Sequence, residues 1–276
     1  MHMKLFSIGN FTVYGYGLMI AIGVIVAVAM GMHRAKTHGL SADEMFNMGF
    51  IGILCGIVGA KITYYLVEIK AVIADPSILL DVTNGFVLYG GVIVGILAPL
   101  VYCRKKKQPF LKYLDIAIPS IPMAQGFGRI GCYLAGCCYG HETASHFGVV
   151  FPADSLAPAG VNLIPTQLIS SGCDFLLAFF LLWYTRKDKE WDDGMPAILY
   201  MLFYSVGRFI IEFLRNDPRG SVGPLSTSQF ISIFVFLFAI VMMVRLKKRK
   251  REAAERAMEA KIDAEFAEKD NEQSEP

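Results

Sequence analysis

Seven separate stretches of this chain are apolar for long enough to cross a bilayer, and no other feature limits its possible folds so sharply. A spanning helix needs about 20 mostly apolar residues to traverse a hydrocarbon core ~30 Å thick. The segments at roughly 14–33, 46–67, 85–102, 113–135, 166–185, 195–214 and 226–244 reach that length. Hydrophobic residues fill 54% of the 276 positions and charged residues 18%, too little polar surface to cover so much apolar chain in water. The sequence therefore predicts an all-α integral membrane protein with seven transmembrane helices. Pro119, Pro122 and Arg129 lie in the fourth stretch, so that helix is expected to be broken or kinked. Such a break is tolerated at membrane depth only against protein or a water-filled cavity. Ala27-Val28-Ala29 resembles a signal-peptide cleavage site, but Arg34 and Lys36 follow the first stretch rather than precede it, and no cleavage is expected.

Lysine and arginine set the orientation. Outside the spans, the N-terminus and loops 2–3, 4–5 and 6–7 hold only Lys4, Lys70, Arg215 and Arg219, whereas nineteen basic residues lie on the other side. Among the nineteen are Arg104, Lys105, Lys106, Lys107, Arg186, Lys187, Lys189 and the run at 245–251. Basic loops stay cytoplasmic, so the N-terminus is expected outside and the C-terminus in the cytoplasm, across a cell inner membrane. Residues 1–246 form the expected membrane domain and 247–276 a basic, then mixed-charge tail. Its basic block suits anionic headgroups, and the remainder suits either a solvated helix or a disordered extension. The segment 142–164 has no Lys or Arg and several Pro and Gly residues, which predicts an irregular outer loop.

A charge inside a span costs at least ~2.5–3.5 kcal/mol on insertion scales, so intramembrane ions mark functional sites by default. At 1.5 Å per residue, Arg208 falls about 20 Å along an outward-running sixth helix, with Glu212 one turn further out. Arg208, Glu212 and Arg215 stand at i, i+4 and i+7, which puts all three on one face of a regular helix. Arg129 sits in the outer half of the fourth helix and Lys61 at a similar level of the second. Tyr14, Tyr16, Tyr89, Thr166, Gln167, Ser226, Ser228 and Gln229 lie near outer helix ends, so polar groups gather toward the outer leaflet.

A lone Arg208–Glu212 pair is equally well read as a helix-locking bridge. Two arginines with one close acid are different, because surplus positive charge wants an anion. The anion at that depth is a phospholipid headgroup, which a planar guanidinium grips through two oxygens. Lys61 is expected to snorkel and Asp174 to make a structural hydrogen bond. Gly52, Gly56, Gly59, Gly91 and Gly95 recur at the small-xxx-small spacing of close helix packing. Gly126-Phe127-Gly128-Arg129-Ile130-Gly131 matches the letters of a dinucleotide-binding loop, but no strand precedes it and it is discounted.

Gly128-Arg129-Ile130-Gly131, continued by Cys132-Tyr133-Leu134-Ala135-Gly136-Cys137-Cys138-Tyr139-Gly140, resembles the signature of bacterial prolipoprotein diacylglyceryl transferases. Other stretches resemble the same family in the same order. They are Tyr16-Gly17-Leu18-Met19, Tyr89-Gly90-Gly91 with Gly95, Pro165-Thr166-Gln167-Leu168, Arg208-Phe209-Ile210-Ile211-Glu212-Phe213-Leu214-Arg215, and Leu225-Ser226 with Gln229. The resemblance implies transfer of the diacylglyceryl group of phosphatidylglycerol to the lipobox cysteine of a prolipoprotein, forming a thioether and releasing glycerol phosphate. It implies membrane lipids as surroundings, no nucleic acid, no cofactor and no metal. Arg129 and Arg208 are the catalytic residues it implies, with Glu212 orienting Arg208. Tyr16, Tyr89, Gly90 and Gly91 are implied on the substrate side, as are Gln125, Gly128, Gly140, Gln167 and Glu212 itself.

Several positions depart from the family pattern. Tyr89 stands where many members carry a histidine given a proton-accepting role, and a phenol with an ordinary pKa of about 10 is a poor base at neutral pH. Cys132 stands for a frequent asparagine, Cys137 for a frequent acid, and Ser170 near where an acid often closes the fifth-helix motif. His33 and His38 are inside, and His141 and His146 lie in the outer loop. Cys132, Cys137 and Cys138 are expected as packed free thiols or a redox pair, with a metal site completed by His141 and His146 as the other reading. Two further functions suit the embedded arginines: a lipid-headgroup or anion transporter, and an inactive scaffold of the same fold. No internal repeat supports the transporter, and its expected binding site lies at the midplane rather than toward one leaflet.

Overall fold

A computed structural model describes residues 4–8, 11–81, 85–218 and 220–274. Arg219, counted above on the outer side, lies outside the described residues. The chain opens with a hairpin, β1 (Lys4–Ile8) and β2 (Phe11–Tyr14), that leads directly into α1 (Gly15–Thr37). Then come α2 (Ala42–Val67), the short α3 (Ile69–Ala74), α4 (Leu88–Lys106), α5 (Phe110–Ala117) and α6 (Ser120–Ala135). A two-stranded hairpin, β3 (Val149–Val150) with β4 (Asn162–Leu163), sits in the irregular loop before α7 (Thr166–Tyr184). Helix α8 (Met195–Ile211) runs into a 3-10 turn (Glu212–Leu214), and a last hairpin, β5 (Ser221–Val222) with β6 (Leu225–Ser226), feeds α9 (Thr227–Ser274).

Among the described residues, six helices are long and apolar enough to cross a membrane: α1, α2, α4, α7, α8 with its 3-10 turn, and α9. Their outward side chains are not covered by the chain; on α2, Ile57, Val58, Ile62 and Leu66 are each more than half exposed. A contiguous apolar surface of that kind is solvated by lipid rather than water. The chain is thus a mostly helical multi-pass membrane protein. The expected fourth helix is two pieces, α5 and α6, separated at Ile118 and Pro119. Pro119 has no N–H to give to the helix ladder, so the ladder lapses there although Ile118 and Pro119 keep helical backbone angles. The three hairpins also qualify the all-α expectation.

Contacts divide the chain into two units, Met1–Ala197 with Leu214–Pro218, and Ile198–Phe213 with Arg219–Pro276. In the first unit, missing side chains let antiparallel helices touch. A Cβ on Gly23 of α1 would lie 3.0 Å from the Ala124 carbonyl oxygen and 3.1 Å from Phe127 Cβ of α6. Gly52, Gly56, Gly59, Gly91 and Gly95 hold α2 against α4 in the same way, as their spacing predicts; a Cβ on Gly91 would lie 2.9 Å from the Gly56 oxygen. Helix α7 joins α6 through Ser171, whose hydroxyl donates to the Gly126 oxygen at 2.9 Å, and through an edge-on Phe127–Phe175 contact at 5.4 Å.

Arg34, counted above as an inner-loop charge, is buried. Its Nε donates to the Ile116 oxygen at 3.1 Å, and its Nη2 to the oxygen and hydroxyl of Thr185 at 3.0 and 2.6 Å. One guanidinium thus satisfies carbonyls at the C-terminal ends of α5 and α7, where no helical N–H is left to do so. Arg34→Met strands the Ile116 carbonyl and leaves the Thr185 carbonyl only the His38 ring at 3.2 Å, and is expected to cost about 2–3 kcal/mol. The measurement is melting in detergent: a clear fall in Tm for Arg34→Met and none for Arg186→Met, whose side chain is 57% exposed. A wild-type Tm in Arg34→Met contradicts this account.

In the second unit α9 begins with reciprocal capping. Gln229 Oε1 accepts from the Ser226 N–H and Ser226 Oγ from the Gln229 N–H, each at 3.1 Å, a capping box that satisfies two end donors. Its 48 residues span ~72 Å at 1.5 Å per residue, far beyond a membrane core. The mixed-charge tail is therefore a helix, braced by exposed pairs such as Arg251–Glu255 at 3.2 Å.

Candidate functional site

Arg208 lies in the last turn of α8, where the helix ends and backbone carbonyls become available. Its Nη1 pairs with Glu212 Oε2 at 2.8 Å, and its Nη2 donates to Ser228 Oγ of α9 at 2.7 Å. Glu212 is buried, at 6% exposure. A guanidinium gripped from two sides loses most of its rotamer freedom, so its plane is set before any anion arrives.

Helix α8 stops at Ile211 and a 3-10 turn follows at Glu212–Leu214, so Arg208, Glu212 and Arg215 are not carried on one regular helix. Arg215 instead makes a two-pronged pair with Asp217 at 3.0 and 2.9 Å, and its backbone bridges to Gly140. Burial opposes its charge, but the Asp217 carboxylate together with the nearby Cys138 sulfur holds the guanidinium above its ordinary pKa. The expected surplus of two arginines over one acid is therefore corrected: Arg215 has its own acid, two residues along.

The first unit holds the remaining candidates. Gln125 and Arg129 are one turn apart on α6, and Cys132 follows on the same face. From α1, Tyr16 packs over Gly131, where a Cβ would lie 3.2 Å from the Tyr16 ring. The Tyr16 phenol is within electrostatic range of Arg129, Cys132, Cys137 and Cys138.

Gly128 and Gly207, the residues immediately before Arg129 and Arg208, share a property that the helix-packing glycines lack. A Cβ added at either meets nothing within 4 Å. Glycine inside a helix costs about 1 kcal/mol relative to alanine, and among the described residues of its own unit neither glycine has a packing partner at its Cβ position. Bare backbone beside each arginine leaves room for a ligand to come close.

Other expected site residues fall elsewhere. Gly140 sits at a backbone crossing: its N–H donates to the Ile164 oxygen at 3.0 Å, and a Cβ would lie 2.7 Å from the Leu214 oxygen. Gln167 is 1% exposed, and its Nε2 donates to the Cys137 oxygen at 2.7 Å. Gly90 and Gly91 abut α2, with Gly90 against Thr63. Tyr89, in the first turn of α4, is 41% exposed. Lys61 lies 5.1–5.4 Å from the ring centres of Tyr64, Tyr65 and Phe86 and bonds the Asp81 carbonyl. Sequence reasoning missed the Arg215–Asp217 pair, although an acid two residues after an arginine at a helix end is its visible signal.

The fold and these residues define a multi-pass helical membrane protein whose guanidinium groups, set beside bare backbone, suit an anionic ligand. The family model for prolipoprotein diacylglyceryl transferase matches residues 3–245. A phosphatidylglycerol–prolipoprotein diacylglyceryl transferase of Clostridium tetani is 51% identical over 236 residues, 86% of this chain and 94% of that protein. A second from Clostridium perfringens is 50% identical, over 91% of this chain and 98% of its own. A relative of that name from Finegoldia magna is 31% identical over 88% and 95%. The chain belongs to the prolipoprotein diacylglyceryl transferase family, and it is a transferase.

Proposed function

We propose that this chain moves the diacylglyceryl group of phosphatidylglycerol onto the lipobox cysteine of prolipoproteins, with Arg129 and Arg208 as its catalytic residues. The thiol gives up its proton, which ends on the leaving phosphate or in water; the sulfur attacks the glyceryl carbon, a C–S bond forms, the C–O bond to phosphate breaks, and glycerol phosphate leaves with the electron pair. Negative charge builds on the departing phosphate, and preset guanidinium groups stabilise it most in a site with little water. The observation that carries the reading is the Arg208 guanidinium held between Glu212 at 2.8 Å and Ser228 at 2.7 Å at the end of α8. Glu212 and Ser228 orient Arg208. Tyr16, Tyr89 and Gln125 contact the lipid headgroup, while Gly140, Gln167 and the packing faces of Gly90 and Gly91 hold the surrounding backbone.

The broken pair α5 and α6 together makes a further crossing, giving seven, with the N-terminus outside, the C-terminus cytoplasmic and the reaction at the outer leaflet of the inner membrane. Residues 1–246 carry the activity and 247–276 are a cytoplasmic extension. Support for the orientation comes from the basic residues, four against nineteen. Asp154, exposed in the outer loop, gives a check. In Asp154→Cys, a membrane-impermeant thiol reagent is expected to add label in intact spheroplasts beyond the background of the unsubstituted chain. Added label only after lysis inverts the orientation.

Complementation tests the function. In bacteria depleted of their own transferase, the chain is expected to restore diacylglyceryl modification of a lipobox reporter. A reporter that stays unmodified although the chain is inserted and folded refutes the reading.

A further inference from the structure

Cys132, Cys137 and Cys138 have no part in the transfer chemistry above, yet the chain goes to some length to bring them together. Gly136, at φ +73°, reverses the backbone at the end of α6, and the Cys137 N–H donates to the Cys132 oxygen at 3.1 Å. This is the Schellman arrangement, which sets the side chains of the two cysteines against each other. Cys138 is itself left-handed, at φ +62°, a conformation uncommon for any residue but glycine. All three Sγ atoms lie within 4.8 Å of one another. Helix α7 holds this backbone in place: Thr166 Oγ1 donates to the Cys138 oxygen at 2.6 Å and Gln167 Nε2 to the Cys137 oxygen at 2.7 Å. Thr166 and Gln167 are each 1% exposed. Arg129 and Arg215 are both within electrostatic range of Cys138.

We propose that Cys132, Cys137 and Cys138 form a three-thiolate site for a soft divalent cation of the zinc class. A zinc–sulfur bond near 2.3 Å sets sulfur atoms about 3.8 Å apart around a tetrahedral centre, so this cluster closes on a cation with small side-chain rotations. Magnesium and calcium take oxygen ligands and are excluded by the donor set. Binding by the three thiols releases three protons and leaves a complex of net charge −1, within electrostatic range of the Arg129 guanidinium. A disulfide joins only two sulfurs and leaves the convergence of the third without a use. The hydrogen bonds from Thr166 and Gln167 fix the main chain that carries two of the three sulfurs. Three protein ligands leave a fourth position for water or a thiol, and a metal-bound thiol is held as thiolate. On the functional reading above, the incoming lipobox cysteine is a fitting fourth ligand. That last step rests on the transferase reading, whereas the metal site does not.

The test uses the full-length chain in detergent, reduced, stripped with a chelator and titrated with Cd2+. One Cd2+ per chain is expected, with a thiolate-to-metal charge-transfer band, proton release and a raised Tm. Cys137→Ser and Cys138→Ser are expected to weaken binding at least about 100-fold and Gln167→Ala about 10-fold, while Cys173→Ser, at an exposed cysteine, changes nothing. No saturable band and no Tm shift in the unsubstituted chain overturns the proposal without reference to any variant. A band unchanged by both Cys137→Ser and Cys138→Ser means an adventitious ion only and also overturns it. So does a disulfide among these cysteines in the protein as isolated. Because no lipid or peptide is present, an inactive chain that binds Cd2+ leaves this site standing, and an active chain that does not bind removes the site alone. With Co2+, a lipobox peptide is expected to change the visible spectrum and its Cys→Ser counterpart is not; an unchanged spectrum removes the fourth-ligand step.

Discussion

Alanine at either Arg129 or Arg208 is expected to lower transfer by about 10²–10³-fold, the loss seen when one preset donor to a developing anion is removed. The effect arises in the reaction and not in the fold. Arg208 is held within its own unit by Glu212 and Ser228, and α8 ends beside it whatever the side chain. Arg208→Lys is expected to recover only part of the rate, because an ammonium group is a point charge and does not grip two phosphate oxygens in a plane. Tyr89→Phe, which removes one hydrogen-bond donor at the start of α4, is expected to stay within about 10-fold of wild type, consistent with a neutral hydrogen bond worth about 1 kcal/mol. The readout is thioether formed per folded protein, with insertion confirmed by monodispersity in detergent. Near-wild-type turnover in Arg129→Ala or Arg208→Ala removes that residue from the chemistry.

Glu212→Ala is expected to cost about 10²-fold in turnover, although Glu212 touches no substrate in this account. A misplacement of about 1 Å in a catalytic group has that order of effect. The buried Glu212 carboxylate is one of the two partners that fix the Arg208 plane, and Ser228 is the other. Ser228→Ala removes a neutral acceptor and should cost about 10-fold or less. Glu212→Asp is expected to restore part of the rate, since the charge returns with a shorter reach. Breaking a buried ion pair also destabilises the fold, by about 3–5 kcal/mol where the remaining charge stays buried, so turnover must be read on the folded fraction. A positioning role lowers kcat with KM for lipid little changed. A Glu212→Ala protein that is merely less abundant, with normal kcat, assigns Glu212 to stability alone.

These expectations draw on residues whose place was legible in the sequence to different degrees. Hydropathy located six spanning helices, because an apolar run of that length has no other solvent. Spacing located the glycines between α2 and α4, since a close helix crossing has a periodic requirement that a sequence displays. The Arg208–Glu212 pair followed from i, i+4 spacing within one regular helix. Arg215 lies beyond the regular helix that its spacing assumes, because α8 gives way to a 3-10 turn after Ile211 and no residue type announces such a turn. Arg34 was misread because its partners are main-chain oxygens at the ends of distant helices, which leave no mark in the side-chain pattern. Gln167 and Gly140 carry motif letters, but their bonds go to the loop after α6. The two-residue strands of the loop hairpins were too short for any alternation to show.

The central claim is a chemical transfer, and incubation of the purified chain with phosphatidylglycerol and a lipobox peptide tests it most directly. The lipid carries one label in its diacylglyceryl part and another in its headgroup, and both products are followed by mass. The account predicts a peptide bearing a thioether-linked diacylglyceryl group together with an equal amount of released glycerol phosphate, and neither product when the peptide cysteine is replaced by serine. Lipid moved between vesicle leaflets with no thioether, or no product at all from folded protein, contradicts it.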